Sequence, residues 1–233
     1  MMKKTLGIIG GVGPLATMFL GETIVRLTKA TSDQEHIHTI IDNDTSIPDR
    51  TAFILGKSNQ NPVPIIIQDA KKLAEYGADL VCIPCNTAHT FYDEIQQGSP
   101  IPVIHMIKET AKQARKLEAK KVAILATDGT IQSNVYQEAL IDEGIEPVIP
   151  DENTQKLVMS IIYDDVKSGK EVTRERWNEV EDAVVALNCD YIILGCTELS
   201  VVNKNLQLGS RYIDSLIVLA ETAIRSCGYE VKK

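Results

Sequence analysis

The residues of this chain with the widest chemical reach are its five cysteines, and their spacing admits three kinds of chemistry. Cys82-Ile-Pro-Cys85 has the form of a redox dithiol placed at the end of a strand. Zinc would need four ligands at suitable spacing, and no second Cys-x-x-Cys or Cys/His pair completes these two. His36 and His38, at alternate positions, read as flanking a strand. The third kind pairs Cys85 with Cys196. Asp79-Leu-Val-Cys-Ile-Pro-Cys85-Asn-Thr87 can be laid on Asp190-Tyr-Ile-Ile-Leu-Gly-Cys196-Thr-Glu198. At nearly the same offset, Leu6-Gly-Ile-Ile-Gly-Gly-Val-Gly13 lies on Val122-Ala-Ile-Leu-Ala-Thr-Asp-Gly129. Two matches in one order argue for an internal duplication. Cys82 then falls on Ile193, inside the apolar run, and reads as a small core hydrophobe.

A thiolate is a competent base near neutral pH when its pKa is lowered, and a helix start lowers it. Two such thiols on opposite faces of one carbon can invert it. One takes the proton, and the other returns one from the far side. Asn86, Thr87 and Thr197 lie in the first turns after the cysteines, where amides and hydroxyls suit a substrate carboxylate and the carbanion formed beside it. The same residues also suit plain helix capping.

The elements that must position these groups alternate. Apolar runs at 5–9, 39–41, 80–83, 103–104, 122–126, 147–149 and 191–194 read as strands. Helical patterns lie near 15–29, 63–76, 106–117, 131–143, 153–168, 173–188 and 214–226. Strands apolar on both faces, alternating with helices, imply parallel sheets covered on both sides. The expectation is an α/β chain of two similar three-layer lobes, 1–104 with 214–233 and 105–213, the last helix returning to the first lobe. A site belongs in the cleft between them, beyond the carboxyl ends of the strands. The segment 42–62 is long for a loop inside a compact domain, and loops of that length are usually functional or partly mobile.

Composition narrows the partners. With 44% apolar and 24% charged residues the chain is of ordinary globular make-up, and its net charge of −8 argues against nucleic acid or anionic membrane as a partner. An odd, thin scatter of cysteines suits reduced thiols in the cytoplasm. The apolar N-terminal run is broken by Gly10-Gly-Val-Gly-Pro14, unlike a secretory leader. No stretch reaches the length of a membrane span.

Gly7-Ile-Ile-Gly-Gly-Val-Gly-Pro14, Pro84-Cys-Asn-Thr-Ala-His89 and Gly195-Cys-Thr-Glu-Leu199 together resemble the aspartate/glutamate racemase superfamily, in particular its aspartate racemase branch. The resemblance spans essentially the whole chain. It implies interconversion of L- and D-aspartate without pyridoxal phosphate or another cofactor or metal, and a homodimer. It implies Cys85 and Cys196 as the two acid/bases, and Arg50 and Lys167 as the holders of the side-chain carboxylate. A bidentate Arg fork and a Lys point charge both suit that task. Arg50 lies in the 42–62 segment, which suggests a lid. Gly11, Val12, Thr127 and Thr130, in the two repeated turns, are expected to line the site, with Glu198 orienting its neighbours. Cell-wall glutamate racemases carry Asp-Ser-Gly where this chain has Gly10-Gly11-Val12, and His where it has Glu198, which favours aspartate over glutamate. Broader aspartate/glutamate specificity stays open. So do two binding-only readings, an acidic amino-acid binder and a dinucleotide binder. For the latter, Gly11-Val-Gly-Pro-Leu-Ala16 fits the Gly-x-Gly-x-x-Ala fingerprint, but Asp42 comes later than the fingerprint's acidic residue should.

Overall fold

Strands without polar alternation must be covered on both faces, and both sheets of the computed structural model, which describes residues 3–232, are built this way. In the first, β1 (Leu6–Ile9) lies between β2 (Thr39–Asp42) and β3 (Leu80–Cys82), all parallel. Leu6, Ile8, Leu80 and Cys82 face one core, shared with the helices Pro14–Leu27 and Ser215–Ser226. Ile9, Val81 and Ile83 face the other, shared with the helix Val63–Glu75. The last helix contributes Leu216, Leu219, Ala220, Ala223 and Ile224 to the first of these cores.

The second sheet runs β5-β4-β6-β7, with β4 at Lys121–Leu125, β5 at Glu146–Val148, β6 at Tyr191–Leu194 and β7 at Tyr212–Asp214, again all parallel. It too has a core on each face. Ala123, Leu125, Ile192 and Leu194 contribute to one, and Val122, Ile124 and Ile193 to the other. The strand order of the first sheet thus recurs in the second. β1 corresponds to β4 and β3 to β6, and the expected residues 103–104 mark the place of β7. At that place the first sheet has only a single parallel bridge, Val81 to Val103. Pro102, which has no N–H to give a ladder, precedes it.

Four segments differ from the sequence pattern. The segment 42–62 contains a short helix, Arg50–Ile54, capped by Asp49, whose side chain accepts from the Ala52 N–H at 2.7 Å. The pattern at 131–143 is split by Asn134, at φ 58°, into Asp128–Gln132 and Val135–Asp142. The segment 153–168 begins as the α-helix Glu152–Ser160 and widens into a π-turn over Ile161–Val166, with the Lys167 N–H bonded five residues back to Ile162. After Cys85 the chain forms a 3₁₀ turn, Thr87–Phe91, whereas after Cys196 it forms a ten-residue α-helix, Thr197–Leu206. Among the described residues, no helix is long and apolar enough to cross a membrane.

Candidate active site

Cys85 and Cys196 stand just beyond the carboxyl ends of β3 and β6, and both line one narrow, nearly filled cleft between the two sheets. Both are free thiols, 7% and 6% exposed. Cys82 points to the opposite face of β3, into the Leu6/Ile8 core, and burial pushes its thiol far up. It is a core residue, and the dithiol reading fails on geometry.

The Cys85 turn is held from behind. His89 Nε2 accepts from the Met106 N–H at 3.1 Å, so Nδ1 carries the ring proton and donates to the Cys85 carbonyl at 2.8 Å. Burial keeps that ring neutral. Asn86 is fixed by its side chain. Its Oδ1 accepts from Tyr136 Oη at 2.5 Å, and its Nδ2 donates to Ser215 Oγ at 3.1 Å. Ser215 in turn donates to the Leu194 carbonyl at 2.7 Å. The Asn86 amide is therefore spent on structure, and what it offers the cavity is its backbone. Thr87 joins a buried ring of hydroxyls with Thr127 (3.0 Å) and Thr130 (2.9 Å), to which Thr51 donates through Thr127 at 3.2 Å. Thr130 lies behind this ring, while Thr51, Thr87 and Thr127 reach the cavity. Thr197 Oγ1 donates to the Pro84 carbonyl at 3.2 Å and so ties the two cysteine turns together.

Each thiol has its own cation. Arg50 is 7% exposed, and one guanidinium nitrogen donates to the Pro48 carbonyl at 2.9 Å while Nε has no partner. Burial works against its charge, but attraction to Cys85, Asp49 and Glu198 outweighs that and holds the guanidinium firmly protonated. Lys167 is also opposed by burial and held charged, by Glu198, Cys196, Tyr163 and Asp49. Its Nζ lies 4.2 Å over the Tyr163 ring and 3.9 Å from Asp49 Oδ2.

Cys196 is the N-cap of the helix Thr197–Leu206, and its Sγ donates to Glu198 Oε2 at 2.9 Å. Its thiol lies well above the ordinary value, first through burial and then through the Glu198 charge, against the pull of Lys167. The sequence expectation that a helix start lowers both thiols is not met at Cys196, where burial and a neighbouring carboxylate outweigh the dipole. Glu198 itself leans on Gly13, at φ 127°, where an added Cβ would sit 2.9 Å from Oε1. Val12 lines the cavity. Gly11, at φ 79°, lines the adjoining outer depression and is pressed against the Asp44 backbone, where a Cβ would stand 2.0 Å from the carbonyl oxygen. A carboxylate beside the glycine turn repels a pyrophosphate, which argues against the dinucleotide reading.

The arrangement brings together every sequence-nominated residue except Gly11 and Thr130, which back it. It adds Asp49, Thr51 and Tyr163 to the lining and His89, Tyr136 and Ser215 to the support. His89 was visible in the motif after Cys85. The others carry no local signal.

The chain is similar to known proteins over nearly its whole length. The family described as Asp/Glu/Hydantoin racemase matches residues 9–223. The broad specificity amino-acid racemase RacX of Bacillus subtilis (strain 168) is 31% identical over 225 residues, covering 94% of this chain and 96% of that protein. The solved structure of Picrophilus torridus aspartate racemase superposes with a TM-score of 0.86 at 34% identity, covering 99% of this chain and 96% of that one. An aspartate racemase homologue from Pyrococcus horikoshii OT3 shares the fold, with a TM-score of 0.76 at 24% identity over 97% of this chain and 99% of that one.

Proposed function

The chain belongs to the Asp/Glu/hydantoin racemase family, and from that membership we propose that it interconverts L- and D-aspartate by passing protons between the substrate α-carbon and Cys85 and Cys196. The observation that carries this reading is the pair of thiols, at equivalent strand ends, lining one cavity with the buried Arg50 and the more exposed Lys167. One sulfur, as thiolate, takes the α-proton and becomes a thiol. The other, as thiol, delivers its proton to the opposite face and becomes a thiolate. No net charge or electron is gained, and neither pyridoxal phosphate nor a metal is needed to balance the step. The α-carboxylate sits against the free N–H groups at the start of the helix Thr197–Leu206 and at the Asn86–Thr87 turn, where it and the carbanion share one set of donors. Arg50 and Lys167 hold the distal carboxylate. The depth of Arg50 selects acidic side chains, because an unpaired charge there is costly to leave bare. The setting we propose is a cytoplasmic homodimer.

L-Aspartate incubated in deuterated water tests the two-base step. Early D-aspartate should carry α-deuterium while remaining L-aspartate stays largely unlabelled. Equal early label in both enantiomers would mean a single base and reject the mechanism. The name of the Bacillus subtilis relative favours one second reading, a wider substrate range. A chiral panel of aspartate, glutamate and neutral amino acids separates the two. Turnover of neutral amino acids at rates comparable to aspartate would replace the narrower proposal.

A further inference from the structure

Two cations reach the cleft, and their partners differ in kind. Arg50 is buried, gives its guanidinium to the Pro48 and Ile47 carbonyls, and keeps an unpartnered Nε. Lys167 has a carboxylate beside it. Asp49 Oδ2 stands 3.9 Å from its Nζ and accepts from Tyr163 Oη at 3.4 Å. The other oxygen, Asp49 Oδ1, caps the helix Arg50–Ile54 through the Ala52 N–H at 2.7 Å. Asp49 and Lys167 line both the cleft and the outer depression that adjoins it, so their ion pair stands between the two. Resting on the racemase reading, in which Lys167 holds the distal carboxylate, we infer that Asp49 is a specificity-determining residue. It is the resident counter-ion of Lys167, which an acidic side chain must displace and a neutral one leaves in place.

Glu198 also attracts the Lys167 ammonium, but it is the wrong carboxylate to exchange. It is buried, and its Oε2 is taken by Cys196 Sγ at 2.9 Å, so parting it from a cation would strand a charge in a dry place. The Asp49 side chain is 41% exposed, and water can serve its Oδ2 once Lys167 is taken. Exchange at Asp49 therefore costs little, and exchange at Glu198 does not. The two cations then respond oppositely to substrate. A neutral side chain leaves the buried Arg50 Nε unanswered but leaves Lys167 as well paired as before. An acidic side chain answers both cations but sets its own charge beside that of Asp49. Asp49 thus narrows the gap in affinity between acidic and neutral side chains that Arg50 opens.

The test compares L-aspartate with L-asparagine, which share a shape and differ by one charge. Calorimetry measures their binding to the full chain carrying Cys85→Ala, where neither is turned over. Asp49→Asn removes the charge and keeps the cap, since Asn caps a helix about as well as Asp. It should raise the ratio of aspartate to asparagine affinity at least about threefold, within the range that a partly exposed ion pair supplies. Asp49→Ser, which also caps without charge, should give the same rise and guards against a misfolded or misplaced amide. With Lys167→Met in place there is no lysine left to contest, and Asp49→Asn should then move the ratio less than about 1.5-fold. A ratio that both Asp49 variants leave unmoved or lower overturns the inference. So does an equal rise in the Lys167→Met protein, or aspartate binding to none of these proteins. Failure of the racemase reading would show instead in the deuterium experiment, with the affinity ratio still measurable.

Discussion

Cys82 and Cys85 stand three positions apart and face different cores, so removing them should have unlike effects. Cys82→Ala should keep racemisation within about twofold and cost about 1–2 kcal/mol of stability, read from chemical denaturation. Cys85→Ala and Cys196→Ala should each abolish racemisation while leaving the melting transition nearly in place. An inactive, well-folded Cys82→Ala would revive the dithiol. Tyr136→Phe removes the hydroxyl that donates to Asn86 Oδ1 and leaves that buried acceptor bare, at about 1–3 kcal/mol. Its turnover should fall more than its affinity, because the turn that carries Cys85 loses its anchor. Unchanged stability would show that the hydrogen bond carries nothing. The two thiols could be read from the sequence because a repeat pairs them. Tyr136 and Ser215 could not, since they reach Asn86 from 50 and 129 residues away and leave no local pattern.

Among the elements, apolar strands announced themselves and irregular helices did not. Six residues are too few for a period of 3.6 to be told from the wider π spacing, so the turn over Ile161–Val166 reads simply as more helix. Yet that turn sets the angle at which Lys167 leaves the backbone. Deleting Asp164 should restore a regular helix and rotate Lys167 away from Glu198, cutting kcat/KM for aspartate at least about 100-fold in a folded protein. Near-normal kinetics would show that the π-turn does not aim the lysine. A second element carries a pH dependence. His105 caps the helix Met106–Lys116 through Nδ1, and burial, then His89 and Lys108, lowers its pKa to about 3. Burial lowers His89 as well. Both rings are neutral when folded but bind a proton near pH 6.5 when unfolded. Stability is therefore complete above that pH and is lost as pH falls toward 3. His105→Asn, which keeps a cap without the titration, should flatten the slope by about 1.4 kcal/mol per pH unit, the value of one proton. An identical slope between pH 6 and 4 would reject the assignment.

For the whole molecule, the repeat in the sequence correctly implied two lobes, each with a parallel sheet. It could not show how tightly the halves close. Thr51 and Thr87 meet Thr127, Thr197 meets Pro84, and the outer rim is closed by Asp49 against Lys167 and Tyr163. The cavity behind that rim is narrow, so substrate exchange requires the lobes, proposed as 1–104 with 214–233 and 105–213, to part. We expect kcat to fall in near proportion to solvent viscosity, and Asp49→Ala to weaken that dependence. Viscosity-independent turnover in wild type would place the limiting step in chemistry. One consequence of the unlike sulfur environments remains. Mirror-image substrates have the same free energy in water and share one transition path, so kcat/KM must be equal in both directions. A carboxylate at one sulfur and a guanidinium at the other therefore cannot tip the final mixture toward either hand. They can only trade turnover against affinity between the two directions. Thermodynamics keeps the ledger even, and so the duplicated halves were free to diverge, side chain by side chain, without losing a balanced reaction.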